Sequence, residues 1–334
     1  MKICICGGGA LGHVCTGVMA SQEGVELNIL SGHPERWQKT ITVTDLNGKQ
    51  FKATINRISS KPKEVVAGQD IIFLCLPGYL IEKTLRDIKP FVGQAAVGTV
   101  VSSTGFFFFA HDILGKDAKL FGFQRVPFIS RVAEYGKTAN LLGYKSSLAV
   151  VLENIEDCES FRKNLENLFV TPVTLLASFY EVALSNSNPI LHTGRLYSMF
   201  HGREQKVFDH NILFYKEWTD EASQLLIDMD AEFFQLLDKL DVHSLPTLLD
   251  YYESTDAASL TRKIQSIPAF QTISSPMKRV DGGWVADFES RYFTEDFPFG
   301  LRWIVDTANK FSIQIRMIPI VYQWGMYSIN SIIE

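Results

Sequence analysis

Met1-Lys2-Ile3-Cys4-Ile5-Cys6-Gly7-Gly8-Gly9-Ala10-Leu11-Gly12 decides the fold, because a short apolar strand here runs straight into Gly7-x-Gly9-x-x-Gly12. Gly7 suits the tight turn, Gly9 lets the backbone approach a pyrophosphate, and Gly12 lets the next helix pack close to the strand. The first amides of that helix then face an anion, so Gly7, Gly9, Ala10, Leu11 and Gly12 are the expected nucleotide contacts. A turn that needed only positive φ would not ask for three glycines at this spacing.

Working outward, the chain has 334 residues, 46% hydrophobic and 21% charged, which is enough material for two cores. A net charge of -5 without any long Lys/Arg run argues against nucleic-acid or anionic-membrane surfaces, so small-molecule partners are expected, with a homodimer left open. Five scattered cysteines point to reduced thiols and a cytoplasmic setting. Cys4-x-Cys6 reads as core packing, and no metal site is expected. Lys2 followed by apolar residues resembles a signal peptide, but Gly7-Gly8-Gly9 would break its helix. The uncharged stretch from Phe91 to Ala110 holds three glycines and a run of hydroxyls. It therefore reads as a buried strand over 95–102, a loop and a Phe-rich helix, with no membrane span.

A second strand is expected over 25–30 and a third over 70–77, whose end at Leu76-Pro77 is placed beside the nucleotide. Between them, Ile41-x-Val43 and Phe51-x-Ala53-x-Ile55 around Asn47-Gly48 predict an inserted hairpin. Further strands over 144–152 and 170–176 flank a helix over 157–169. Strands alternating with helices predict a doubly wound, mostly parallel Rossmann sheet over residues 1–178. Beyond it the period changes: Ala222, Leu225, Leu226, Met229, Phe233, Leu236, Leu237 and Leu240 recur at helical spacing behind Thr219 and Asp220. An all-α domain is expected over 179–334.

An acidic residue usually ends the second strand and takes the adenosine ribose hydroxyls. Here that position is Ser31, with His33 and Arg36 just beyond. Room and positive charge for a 2′-phosphate favour NADP, with NAD as the other candidate. Reduction by a nicotinamide needs a proton donor near neutral pH. Among seven histidines, His192 stands out because Asn188 lies four residues before it on the same helical face. A helix cap is the competing reading of Asn188. The charged, aromatic segment Arg291-Tyr292-Phe293-Thr294-Glu295-Asp296 reads as a site, a structural ion pair or a surface loop. Arg291 could grip a carboxylate with two parallel hydrogen bonds, and Asp296 could hold His192 in one tautomer.

The chain resembles the NAD(P)-dependent octopine/nopaline (opine) dehydrogenase family. The likeness rests on the glycine turn, the strand over 70–77, Gln124-Arg125-Val126-Pro127-Phe128-Ile129-Ser130-Arg131 followed by Gly143-Tyr144-Lys145, Asn188-x-x-x-His192, and Arg291-x-x-Thr294-Glu295-Asp296-x-Pro298-x-Gly300-Leu301. The resemblance implies a Rossmann domain followed by a helical domain like the C-terminal domain of 6-phosphogluconate dehydrogenase, with reaction in the cleft between them. It also implies reductive condensation of an amino acid with a 2-oxo acid, with His192 as general acid/base, Asp296 as its partner and Arg291 on a substrate carboxylate. A ketopantoate-reductase-like or 2-hydroxy-acid oxidoreductase is the rival reading, and a non-catalytic NADP-binding sensor a third.

Overall fold

The computed structural model describes residues 1–331 and divides into two compact units, Met1–Ala183 and Leu184–Glu334. In the first, β1 (Lys2–Cys6) leads through the glycines into α1 (Ala10–Ala20), followed by β2 (Glu26–Leu30). The predicted hairpin is β3 (Thr40–Asp45) and β4 (Gln50–Thr54), followed by β5 (Arg57–Ser59) and the short helix α2 (Pro62–Val65). Next come β6 (Ile71–Leu74), α3 (Gly78–Ile88), β7 (Ala96–Thr99), the Phe-rich α4 (Phe106–Leu114) and β8 (Leu120–Phe123). The unit ends with β9 (Phe128–Glu134), β10 (Thr138–Tyr144), β11 (Leu148–Glu153), α5 (Cys158–Phe169), β12 (Val173–Leu175) and α6 (Phe179–Ala183).

The main sheet runs β12-β11-β8-β7-β6-β1-β2-β5, parallel throughout except between β11 and β8. Its central strands β1, β6, β7 and β8 are buried along nearly their whole length, as expected when helices cover both faces, while the edge strands β5 and β12 are more open. The chain lays strands to one side of β1 and then returns to the other side with β6, so the order reverses at β1/β6, where such sheets bind ligands. Cys6 lies beside both Leu30 and Leu74, so the ends of β1, β2 and β6 meet under the glycine turn.

The strands depart from expectation in two ways: β5, β8 and β9 carry no strand expectation in the sequence, and one expected strand is divided. The stretch expected as one strand over 144–152 is split: Tyr144 closes β10, and β11 begins only at Leu148. β9 and β10 join the inserted hairpin in a separate sheet, β4-β3-β10-β9, which packs over α1. Its buried positions alternate, as at Ala139 and Leu141, so it is an amphipathic cover with its own register.

The second unit comprises α7 (Asn188–Phe200), α8 (Asp220–Lys239), α9 (Leu248–Tyr251), α10 (Ala257–Ser266), α11 (Arg291–Thr294), α12 (Arg302–Lys310) and α13 (Met317–Asn330). A two-stranded hairpin, β13 (Met277–Val280) with β14 (Gly283–Ala286), interrupts this otherwise helical unit. The expected start of α8 holds: Thr219 caps it by accepting the Ala222 N–H. Among the described residues no helix is long and apolar enough to cross a membrane.

Candidate active site

The glycine turn has the geometry of a nucleotide cradle. Gly7 sits at φ +131°, and a Cβ there would stand 2.4 Å from the Cys75 carbonyl oxygen. A Cβ on Gly12 would come within 2.1 Å of the Gly7 carbonyl oxygen, so only glycine lets α1 rest on the end of β1. At Gly9, by contrast, the Cβ direction is open space, and no side chain caps the helix that Ala10 begins. The first amides of α1 are thus left for an anion. Leu76 reaches the turn, its Cδ2 lying 3.1 Å from the Cβ position of Gly7, and Pro77 begins the approach to α3. These residues fit a pyrophosphate-bearing cofactor.

At the end of β2, Ser31 is buried, and its hydroxyl accepts from the His33 amide and Trp37 Nε1, both at 3.2 Å. Arg36 is exposed and lays its guanidinium 4.2 Å over the Tyr135 ring, while His33 pairs with Glu35. His13, read from sequence only as a neighbour of the turn, is fully buried. Its Nδ1 donates to the Gly9 carbonyl at 2.9 Å, and its Nε2 accepts the Gly136 N–H at 2.7 Å. Burial lowers its pKa, in keeping with a neutral ring that uses one nitrogen as donor and the other as acceptor. The ring also stacks on Trp37 at 4.1 Å.

In the second unit, α7 carries His192 and the residues before α12 carry Asp296. The two meet across 104 positions of sequence, His192 Nδ1 lying 2.8 Å from Asp296 Oδ2. A π-helical turn, Phe297–Leu301, follows Asp296 directly and packs against α7. A Cβ on Gly300 would meet Pro189 Cγ at 2.6 Å, so glycine here lets that turn reach the start of α7. Pro189 serves in the first turn of the helix, where its missing N–H costs nothing.

His192 Nε2 is also occupied, by the Tyr215 hydroxyl at 3.0 Å. The ring is walled by Tyr292, with centroids 4.7 Å apart, and by the edge of Phe214. Tyr215 was missed in the sequence, where an aromatic in an aromatic-rich half carries no mark of its role. Asn188 is not a partner of either ring nitrogen, since Asp296 and Tyr215 take both; it stands exposed at the first position of α7. Ser187, not Asn188, occupies the cap position. Arg291 is exposed at the start of α11 and enters none of the ion pairs among the described residues, which leaves its guanidinium available for an anion.

The model for the alpha-helical domain of NAD/NADP octopine/nopaline dehydrogenases matches residues 175–328. Octopine dehydrogenase of Mizuhopecten yessoensis is 28% identical, over 99% of this chain and 91% of that protein. A solved octopine dehydrogenase with NADH and L-arginine has a TM-score of 0.85 at 25% identity, covering 99% of this chain and 90% of that one. A second, with NADH and pyruvate, has a TM-score of 0.84 at 25% identity, covering 98% and 89%.

Proposed function

We infer that this chain, which belongs to the octopine/nopaline (opine) dehydrogenase family and is an NAD(P)-dependent dehydrogenase acting on CH–NH donors, condenses an amino acid with a 2-oxo acid reductively. The observation that carries the reading is the 2.8 Å contact between His192 and Asp296 in a largely buried setting. A neutral metabolite-binding pocket has no need to keep an imidazole and a carboxylate in register. The nicotinamide nucleotide supplies the hydride that reduces the imine carbon.

The remaining work falls to the chain. Asp296 accepts from Nδ1–H, so Nε2 is the nitrogen through which His192 takes up or gives out a proton. Proton transfer is needed twice, when the amine nitrogen attacks the carbonyl and when hydroxide leaves as water. Arg291, with its planar fork uncommitted, grips a substrate carboxylate. Asn188, exposed one turn before His192, offers an amide to the same substrate. Gly7, Gly9, Ala10, Leu11, Gly12, Leu76 and Pro77 hold the pyrophosphate end of the cofactor. No carboxylate ends β2, and Arg36 lies exposed beyond Ser31, which supports NADP over NAD. This reading is not inherited from the octopine dehydrogenase structures, which contain NADH.

The test is a screen of NADPH and NADH oxidation with 2-oxo acids, each alone and then with a panel of amino acids. Oxidation that requires both partners is expected. Oxidation by a 2-oxo acid without any amine would replace this reading with a 2-hydroxy-acid oxidoreductase.

A further inference from the structure

We propose that the Tyr215 hydroxyl relays the proton between His192 and the substrate, so that the shuttle has three members, Asp296, His192 and Tyr215. The proposal rests on His192 being the general acid/base. Both ring nitrogens are engaged, Nδ1 by Asp296 and Nε2 by Tyr215. With the Asp296 carboxylate accepting from Nδ1–H, the neutral ring receives the Tyr215 O–H at Nε2. No nitrogen is left to face a substrate atom. The proton leaves through the phenol oxygen, or Tyr215 must swing aside.

The surroundings of Tyr215 oppose a swing. Its ring is 6% exposed, stacked on Phe270 at 4.2 Å and 20° and parallel to Trp218 at 6.0 Å and 5°. Its backbone segment is clamped by Arg195, three residues along α7 from His192 and therefore on the same helical face. Arg195 Nε donates to the Phe214 carbonyl at 3.1 Å, and Nη2 to the Glu217 carbonyl at 2.7 Å. The guanidinium also lies 5.1 Å over Trp218. Burial pulls its pKa down to about 10, with Glu217 opposing, so it stays charged near neutrality. One helix thus carries both the imidazole and the cation that fixes the hydroxyl beside it.

The step balances without an ionic phenol. As His192 gives up a proton, the Nε2–H bond breaks and a new O–H bond forms at Tyr215. In the same event the original phenolic proton passes to the departing substrate oxygen, which leaves as water. The phenol is neutral before and after, and the imidazolium becomes imidazole. Two simultaneous transfers avoid a phenolate, which burial and the neighbouring Tyr292, Tyr252 and Asp296 make costly by raising the Tyr215 pKa.

The experiment compares the full chain with Tyr215→Phe, reading kcat, KM and the dependence of kcat on the deuterium fraction of the solvent. The expected result is a fall of about 100-fold in kcat, within the range for losing a proton-transfer group, with every KM within twofold. The wild-type dependence should be bowed, as two moving protons require, and that of the variant linear. A linear wild-type dependence, or a variant with kcat within threefold of wild type, overturns the relay. His192→Ala run alongside separates the two readings: its retained activity removes the His192 role itself, whereas an inactive His192→Ala beside a fully active Tyr215→Phe removes only the relay. If Tyr215→Phe fails to fold, replacing Tyr215 by 3-fluorotyrosine keeps the ring and hydroxyl but acidifies the phenol. A relay then changes kcat several-fold, and an unchanged kcat refutes it.

Discussion

Replacing Asp296 by Asn isolates what its charge does for His192. The amide keeps an oxygen where Oδ2 now lies, 2.8 Å from Nδ1, so the hydrogen bond and the tautomer survive while the negative charge disappears. The imidazolium formed during turnover then loses an attraction of about 4 kcal/mol at 4 Å, with the effective dielectric of 20 suited to partly exposed groups. The two side chains are 12% and 19% exposed, which places the pair in that regime. A neutral hydrogen bond returns about 1 kcal/mol. The net cost to the protonated state is about 3 kcal/mol, or roughly 100-fold in rate at about 1.4 kcal/mol per decade. Steady-state assays at saturating cofactor and substrates should therefore show kcat down by about two orders of magnitude, with an unchanged melting temperature and an unchanged KM for the nucleotide. A kcat within threefold of wild type would refute the claim that His192 becomes charged next to Asp296 in the rate-determining step.

Two further predictions concern other parts of the molecule. Gly12→Ala places a methyl group 2.1 Å from the Gly7 carbonyl oxygen, and nucleotide affinity measured by fluorescence titration should fall at least about tenfold; equal affinity would mean that the turn does not hold the pyrophosphate. Asp230, buried in α8 where it accepts the Leu248 N–H, has its carboxyl pKa lifted by burial to about 6, with Asp250 adding to the rise. Its folded value lies above the unfolded one, so its contribution to stability is full below about pH 4 and is lost as the pH rises through 6. Asp230→Asn should raise stability by up to about 3 kcal/mol above pH 7 and change little at pH 4; urea unfolding at both values checks this, and an equal effect at both would exclude ionisation as the cause.

The parts of this molecule that sequence made legible are those set by neighbouring residues. The glycine turn, β6, the hairpin around Asn47-Gly48 and the capped start of α8 each carry their signal within a few positions. The cover formed by β9 and β10 was not legible, because its alternation is short and its pairing with β3 joins segments about a hundred residues apart. His192 and Asp296 could be singled out by residue type and family likeness. That they meet depends on a π-helical turn fitting against Pro189, which no local propensity announces. Tyr215 was hidden for a related reason. Its importance comes from a hydroxyl pointed at one nitrogen, while its ring looks like any other packed aromatic. Asn188 shows what spacing alone conveys: it lies one turn before His192 on α7, exposed and not bonded to the ring, whose nitrogens meet Asp296 and Tyr215.

The buried His13 ring has a consequence for how freely the nucleotide-binding module can be moved. It is a strut whose two ends rest on Gly9 and on Gly136, 123 residues away. A fragment cut after β7, though it contains the whole glycine signature, would leave Nε2 facing water and strip Tyr135 and Gly136 from above the loop. Grafting the opening residues into another scaffold would therefore transplant the letters of the motif without the brace that keeps it in shape.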